Sequence, residues 1–191
     1  MKNIYYILFI SITTLCAQAQ ERWSVAFRPQ LNFPTSSFMD TSIRVGNGLE
    51  LEATYDVLPH LTFYTGVHWS QFDTNEQFDE DHINFNQSGY ILGGRLRLPF
   101  NKSKIGYYLS AGTIYSRIRI TSDNVAHDQK TTFKVNWQFG AGVQIPVFEH
   151  WVFAPEIRYR PASNAKVIIN TIEETLAIDF ITISAGIVYT F

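Results

Sequence analysis

The chain has 191 residues, enough for one domain, with 46% hydrophobic and 17% charged residues and a formal net charge of −2. That balance argues against nucleic acid as a partner. Beyond the first residues no apolar run is long enough to cross a bilayer as a helix, so any membrane location has to come from strands, and aromatics at 15% are plentiful.

The N-terminus carries Lys2, an apolar run from Ile4 to Ile12, and Ala17-Gln18-Ala19. These are the charged, hydrophobic and small-residue parts of a secretory signal peptide, predicted over residues 1–19 and cut after Ala19, with a barrel domain over 20–191. Cys16 falls inside the leader, so the mature chain is expected to hold no cysteine; Leu15 before it is too large for an acylation site. Loss of Lys2 leaves 14 basic against 17 acidic residues and a mature charge of −3.

Alternation begins at once after the leader. Trp23, Val25, Phe27, Pro29, Leu31 and Phe33 share one face of a first strand, with Ser24, Ala26, Arg28, Gln30 and Asn32 on the other. A polar stretch, Pro34 to Ile43, leads to a second strand over Val45–Val57, where Gly46, Gly48, Glu50, Glu52, Thr54 and Asp56 form the polar face. Leu58-Pro59-His60 makes a tight turn. The third strand opposes Leu61, Phe63, Thr65, Val67 and Trp69 to Thr62, Tyr64, Gly66, His68 and Ser70, and a long polar segment follows from Gln71 to Gln87.

A fourth strand runs from Tyr90 to Phe100 with Gly93, Arg95 and Arg97 on its polar face, and a short turn, Asn101 to Lys104, ends it. The fifth, Tyr107 to Ser116, alternates least cleanly and runs into a polar loop around Thr121 to Lys130. The sixth, Phe133 to Val147, sets Lys134, Asn136, Gln138, Gly140, Gly142 and Gln144 against a run of Phe, Val, Trp, Ala and Ile. After a turn at Phe148 to His150, the seventh carries Trp151, Phe153, Pro155, Ile157 and Tyr159 opposite Val152, Ala154, Glu156, Arg158 and Arg160. A loop over Pro161 to Glu174 precedes the last strand, Ile181 to Phe191, apolar at every odd position.

Eight two-faced strands joined by alternating long and short connections predict an all-β fold, an eight-stranded antiparallel up-and-down transmembrane β-barrel with short periplasmic turns and four long extracellular loops. The aromatics decide which face is outside. A barrel of eight strands has room inside for one layer of side chains, too little for four tryptophans and many other large rings. At roughly 2.5 Å of height per residue in a tilted strand, the outward rings gather at two levels. Trp23, Tyr55, Phe63, Phe100, Tyr107, Trp151, Tyr189 and Phe191 lie low; Trp69, Tyr90, Tyr115, Trp137 and Tyr159 lie high. Two such girdles mark the interfaces of a bilayer, and Arg117, Arg119 and Asp179 fall beyond the upper one.

With its leader, eight two-faced strands and terminal Tyr189-Thr190-Phe191, the chain resembles the small outer-membrane barrels, the outer membrane protein β-barrel domain or "porin family" akin to OmpX and the OmpA transmembrane domain. The resemblance implies a multi-pass barrel in the cell outer membrane, embedded in its lipid. It also implies that the barrel-insertion machinery reads Tyr189 and Phe191; the sequence departs from OmpA in showing no periplasmic peptidoglycan-binding domain.

The polar face puts Arg28, Arg95, Arg97 and Arg158 in the lumen with Glu50, Glu52 and Glu156. Charges in so narrow a space have to be paired, so a salt-bridge plug is expected, against a narrow gated channel as the alternative. His68 and Ser70 resemble the His-x-Ser pair of the lipid A deacylases, but Gln71 stands where that family has Asn, and the pair faces away from lipid. Asp73, Glu76, Asp79, Glu80 and Asp81 make an acidic loop without the glycine of an EF-hand, read as solvated; its sharper reading is a surface site for divalent cations or a basic partner. No cofactor, metal or catalytic residue is expected. The expected role is structural, or one of surface interaction with a ligand through the four loops; a channel, a lipid-modifying enzyme, or an accessory barrel of a secretion or motility machine are the alternatives.

Overall fold

The structure, a computed structural model, describes residues 22–35, 44–73, 83–99, 105–122, 129–161, 165–169, 172–176 and 179–191. The strands are β1 (Trp23–Pro34), β2 (Gly46–Leu58), β3 (Leu61–Asp73), β4 (Ile83–Pro99), β5 (Gly106–Ser122), β6 (Gln129–Lys130), β7 (Lys134–Pro146), β8 (Trp151–Arg160), β9 (Ala165–Ile169), β10 (Ile172–Leu176) and β11 (Phe180–Thr190). Eight of them close a ring in the order β4-β3-β2-β1-β11-β8-β7-β5, with β5 returning to pair with β4. Every pairing is antiparallel. Closure leaves no barrel edge unpaired, which a strand crossing lipid requires, since hydrocarbon offers its backbone no partner. No described helix is long and apolar enough to cross a membrane.

The alternation read from sequence becomes an inside and an outside. Along β1 exposed and buried residues alternate from Trp23 to Asn32, and β11 does the same from Phe180 to Val188. The four tryptophans all stand on the outer wall, Trp23, Trp69, Trp137 and Trp151 being 44%, 41%, 63% and 44% exposed. The lower girdle is a set of touching rings: Trp23 on Tyr55 at 4.9 Å, Trp151 on Tyr189 at 5.0 Å, and Tyr189 on Phe191 at 5.3 Å. At the upper level Tyr115 pairs in register with Tyr90 and stacks on Phe133 at 4.8 Å.

Two prolines interrupt the ladder. The β1–β11 pairing passes from Phe27 to Gln30 around Pro29, and the β7–β8 pairing passes from Phe153 to Glu156 around Pro155. Proline lacks an N–H, so each gap frees backbone groups that need another partner. The guanidinium of Arg28 takes up one of them, donating to the carbonyl of Ala154 at 3.1 Å.

Three strands run further than the sequence pattern suggested. The segment read as polar loop from Gln71 to Gln87 contains the end of β3 and the start of β4, paired from Gln71↔Asn86 to Asp73↔Asn84. Likewise β5 runs on to Ser122. The reason is an inversion of the faces. Above the upper girdle Phe72 and Phe85 are buried inside, while Arg117 and Arg119 are exposed outside. Here the outer wall meets headgroups and water instead of acyl chains, so the strands alternate as in a soluble barrel. The loop read as Pro161 to Glu174 holds β9 and the start of β10, which pair as a separate hairpin running on to Leu176. The leader, residues 1–19, lies outside the described residues.

Candidate functional site

The lumen is where the chain concentrates its chemistry. Glu52 from β2 meets Arg28 of β1 at 2.9 Å and Arg95 of β4 at 2.6 Å. Glu156 from β8 meets Arg158 at 2.8 Å and Arg28 at 3.2 Å, and it accepts from Ser110 at 2.6 Å and Tyr108 at 3.1 Å. Glu50 meets Arg158 at 2.8 Å and Arg160 at 2.5 Å. Arg158 also reaches Glu52 at 3.4 Å, so one guanidinium touches all three carboxylates. These side chains are 0–3% exposed, which makes the set a plug across the barrel.

Rings and neutral groups complete the plug. Arg95 lies over the Tyr64 ring at 4.5 Å and near Tyr108 at 5.4 Å, a cation–π arrangement that gains strength where water is excluded. Gln138 accepts from Arg160 at 3.1 Å and donates to the Tyr64 hydroxyl at 3.2 Å. The barrel makes room by omitting side chains. A Cβ at Gly93 or Gly112 would overlap the Tyr64 hydroxyl, one at Gly142 would overlap the Tyr108 ring, and one at Gly186 would crowd Arg28. Small residues on the inner wall are thus the sockets of the large ones.

Of the seven lumen charges expected, six meet in this network. Arg97 stands apart: it pairs with Asp56 at 2.7 Å, and both side chains are partly exposed, at 29% and 23%. Its backbone N–H bonds the carbonyl of His60 in the short β2–β3 turn, which puts it at the end of the barrel rather than at its middle. Arg160 takes the vacant role beside Glu50. Parity on β8 puts Arg160 on the inner face with Arg158; only the height of Glu50 across the barrel, not legible in one strand, ties it to the plug.

His68 and Ser70 are both buried in the lumen, but they do not touch each other. Ser70 Oγ accepts from Gln30 and Asn32, each at 3.1 Å, and neither ring nitrogen of His68 has a partner. A base and a nucleophile without a hydrogen bond, enclosed away from lipid, give no arrangement for acyl transfer. Of the acidic segment, Asp73 closes β3 opposite Asn84; Glu76, Asp79, Glu80 and Asp81 lie outside the described residues. No cluster that could hold a metal occurs among the described residues. Tyr189 packs between Trp151 and Phe191, and the Phe191 N–H donates to the carbonyl of Trp23, so the last residues close the lower rim.

The family model of the outer membrane protein β-barrel domain matches residues 7–191. Among solved structures the chain resembles Neisserial surface protein A, with a TM-score of 0.66 at 15% identity over 88% of this chain and 97% of that one. OprG from Pseudomonas aeruginosa gives 0.60 at 14% identity, covering 91% and 98%. Ail of Yersinia pestis in complex with the heparin analogue sucrose octasulfate gives 0.52 at 15%, covering 89% and 97%. These likenesses concern the fold. No curated relative matches the sequence.

The plug predicts unequal costs for removing acids. Glu52→Gln removes a carboxylate that three buried guanidiniums share and should lower unfolding stability by about 3–5 kcal/mol. Asp56→Asn breaks a half-exposed pair and should cost about 1 kcal/mol or less. Urea titration of the protein in lipid vesicles measures both, and equal losses would deny the plug its special standing.

Proposed function

Since the chain belongs to the outer membrane protein β-barrel domain family, we propose that it is a non-enzymatic integral protein of the outer membrane with a structural or surface-interaction role, exerted through its four long connections. One observation carries the reading: the lumen is filled by buried side chains joined in ion pairs, from Arg28 to Arg160. A filled lumen leaves the ends of the barrel as the surfaces open to a partner. Residues 35–45, 74–82, 123–133 and 161–179 form the connections at the end opposite the termini. The solved complex of Ail with a heparin analogue is an instance of a ligand held by a barrel of similar build.

Delivery through a signal peptide over residues 1–19 and insertion by machinery that reads Tyr189 and Phe191 belong to the same proposal. Its first half is checked by the mass of the protein extracted from membranes, which should correspond to a chain starting at Gln20; a retained leader would contradict it.

A narrow gated channel is the second reading, favoured by the polar inner face that continues from Thr62 past the plug to Gln87. The two readings separate in a planar bilayer. The plug should give no steady single-channel conductance, and regular, reproducible conductance steps would transfer the assignment to the channel.

A further inference from the structure

Above the ion pairs the inner face carries a buried polar layer with an aromatic roof. Glu50, Arg158 and Arg160 form its floor. Its roof is Phe72, Phe85 and Phe180, all buried, with Phe72 and Phe180 in edge contact at 5.4 Å. The register sets His68 beside Glu50, and one step higher it sets Gln87 beside Ser70. Arg160 reaches this layer from β8, with its guanidinium carbon 6.0 Å from the centre of the Phe180 ring.

Buried polar atoms in folded proteins nearly always have partners, and an exception calls for a bound water or ion. In this layer the exceptions gather: both ring nitrogens of His68, Oε1 of Gln87 and Nη1 of Arg160 have none. The other unpartnered atoms, Nε of Arg95 and Nε of Arg97, belong to guanidiniums already paired on lower rungs. Most groups in this layer can donate. Arg160 has only N–H groups to offer, and His68 offers one from either nitrogen. Ser70 Oγ accepts both hydrogen bonds described above, so its own proton is available. Gln87 donates Nε2 to Ser116 Oγ at 3.0 Å; with its amide turned over it would accept from that hydroxyl and aim an N–H inward.

The charge points the same way. Among the described residues, the buried network holds the guanidiniums of Arg28, Arg95, Arg158 and Arg160 against the carboxylates of Glu50, Glu52 and Glu156, one positive charge in excess. An enclosed charge without a counter-ion is costly.

We propose that this layer holds one small inorganic anion of the size and charge of chloride, bound by N–H groups of Arg160, His68 and Gln87 and by the hydroxyl of Ser70. The anion balances the plug and is sealed in by the three phenylalanines. This goes beyond the surface role, because it concerns the closed lumen and holds whatever the loops bind.

Bromide is the probe. The full chain is refolded into detergent with 0.1 M bromide as the only halide, crystallised, and its anomalous diffraction measured at the bromine edge. The expected result is a single strong peak between Arg160 Nη1 and His68; water in its place and no anomalous signal overturns the proposal. Stability is then followed at constant ionic strength with bromide exchanged for gluconate. A site with a dissociation constant of about 10 mM lowers the unfolding equilibrium constant about tenfold at 0.1 M halide. Arg160→Met should abolish that dependence, and His68→Phe, which replaces the imidazole N–H with an apolar ring, should do so even if the arginine variant does not fold. A peak without any halide dependence in the unaltered protein would mean binding at crystal concentration only, and would also overturn it.

Discussion

The structure depends on the pairing of charges that water does not reach. Each carboxylate of the plug touches at least two guanidiniums, and Arg158 touches all three carboxylates. Several of these contacts join strands that are not neighbours in the sheet. Glu52 links β2 to β4 through Arg95, skipping β3, and Glu50 links β2 to β8 through Arg158 and Arg160. Backbone ladders hold each strand to the next, while the ion pairs hold the ring across its width. An ion pair this deep gains little over an apolar filling of the same volume, but half a pair is far worse than either. The plug therefore acts as a unit.

Everything else in the barrel accommodates that unit. Inner glycines provide sockets for Tyr64, Tyr108 and Arg28, and the ladder gap at Pro155 contains the carbonyl that Arg28 uses. Outside, the two girdles fix the height of the barrel in the bilayer, with aliphatic side chains such as Leu92, Leu109, Ile157 and Ile187 exposed to acyl chains between them. Above the upper girdle the faces exchange roles, and Phe72, Phe85 and Phe180 close the lumen. Lipid outside and ions inside are two consequences of one alternation.

Much of this was legible in the sequence because a period of two is unambiguous wherever one side meets lipid. The clean alternation of Trp23 to Asn32 and of Ile181 to Val188 led directly to β1 and β11. The signal failed where the solvent changes. Gln71, Asn84 and Asn86 look like loop residues because the outer wall at that height is wet, so a polar outer face carried β3 and β4 beyond the point where lipid would have marked them. Within the lumen, parity told which charges point inward but not how high each stands. The sequence therefore groups Arg97 with the plug and leaves Arg160 out: the difference rests on which residue across the barrel lies level with each, Asp56 for one and Glu50 for the other.

The orientation of the wall is open to direct measurement, since all four tryptophans stand on the outer face at girdle depth. The native fluorescence of the protein in vesicles should be strongly quenched by lipids brominated on the acyl chain near the headgroup, and little affected by iodide in the aqueous phase. Tryptophans indifferent to the brominated chains, whether quenched by iodide or silent to both, would mean that the rings do not face lipid, and the assignment of inside and outside would be wrong.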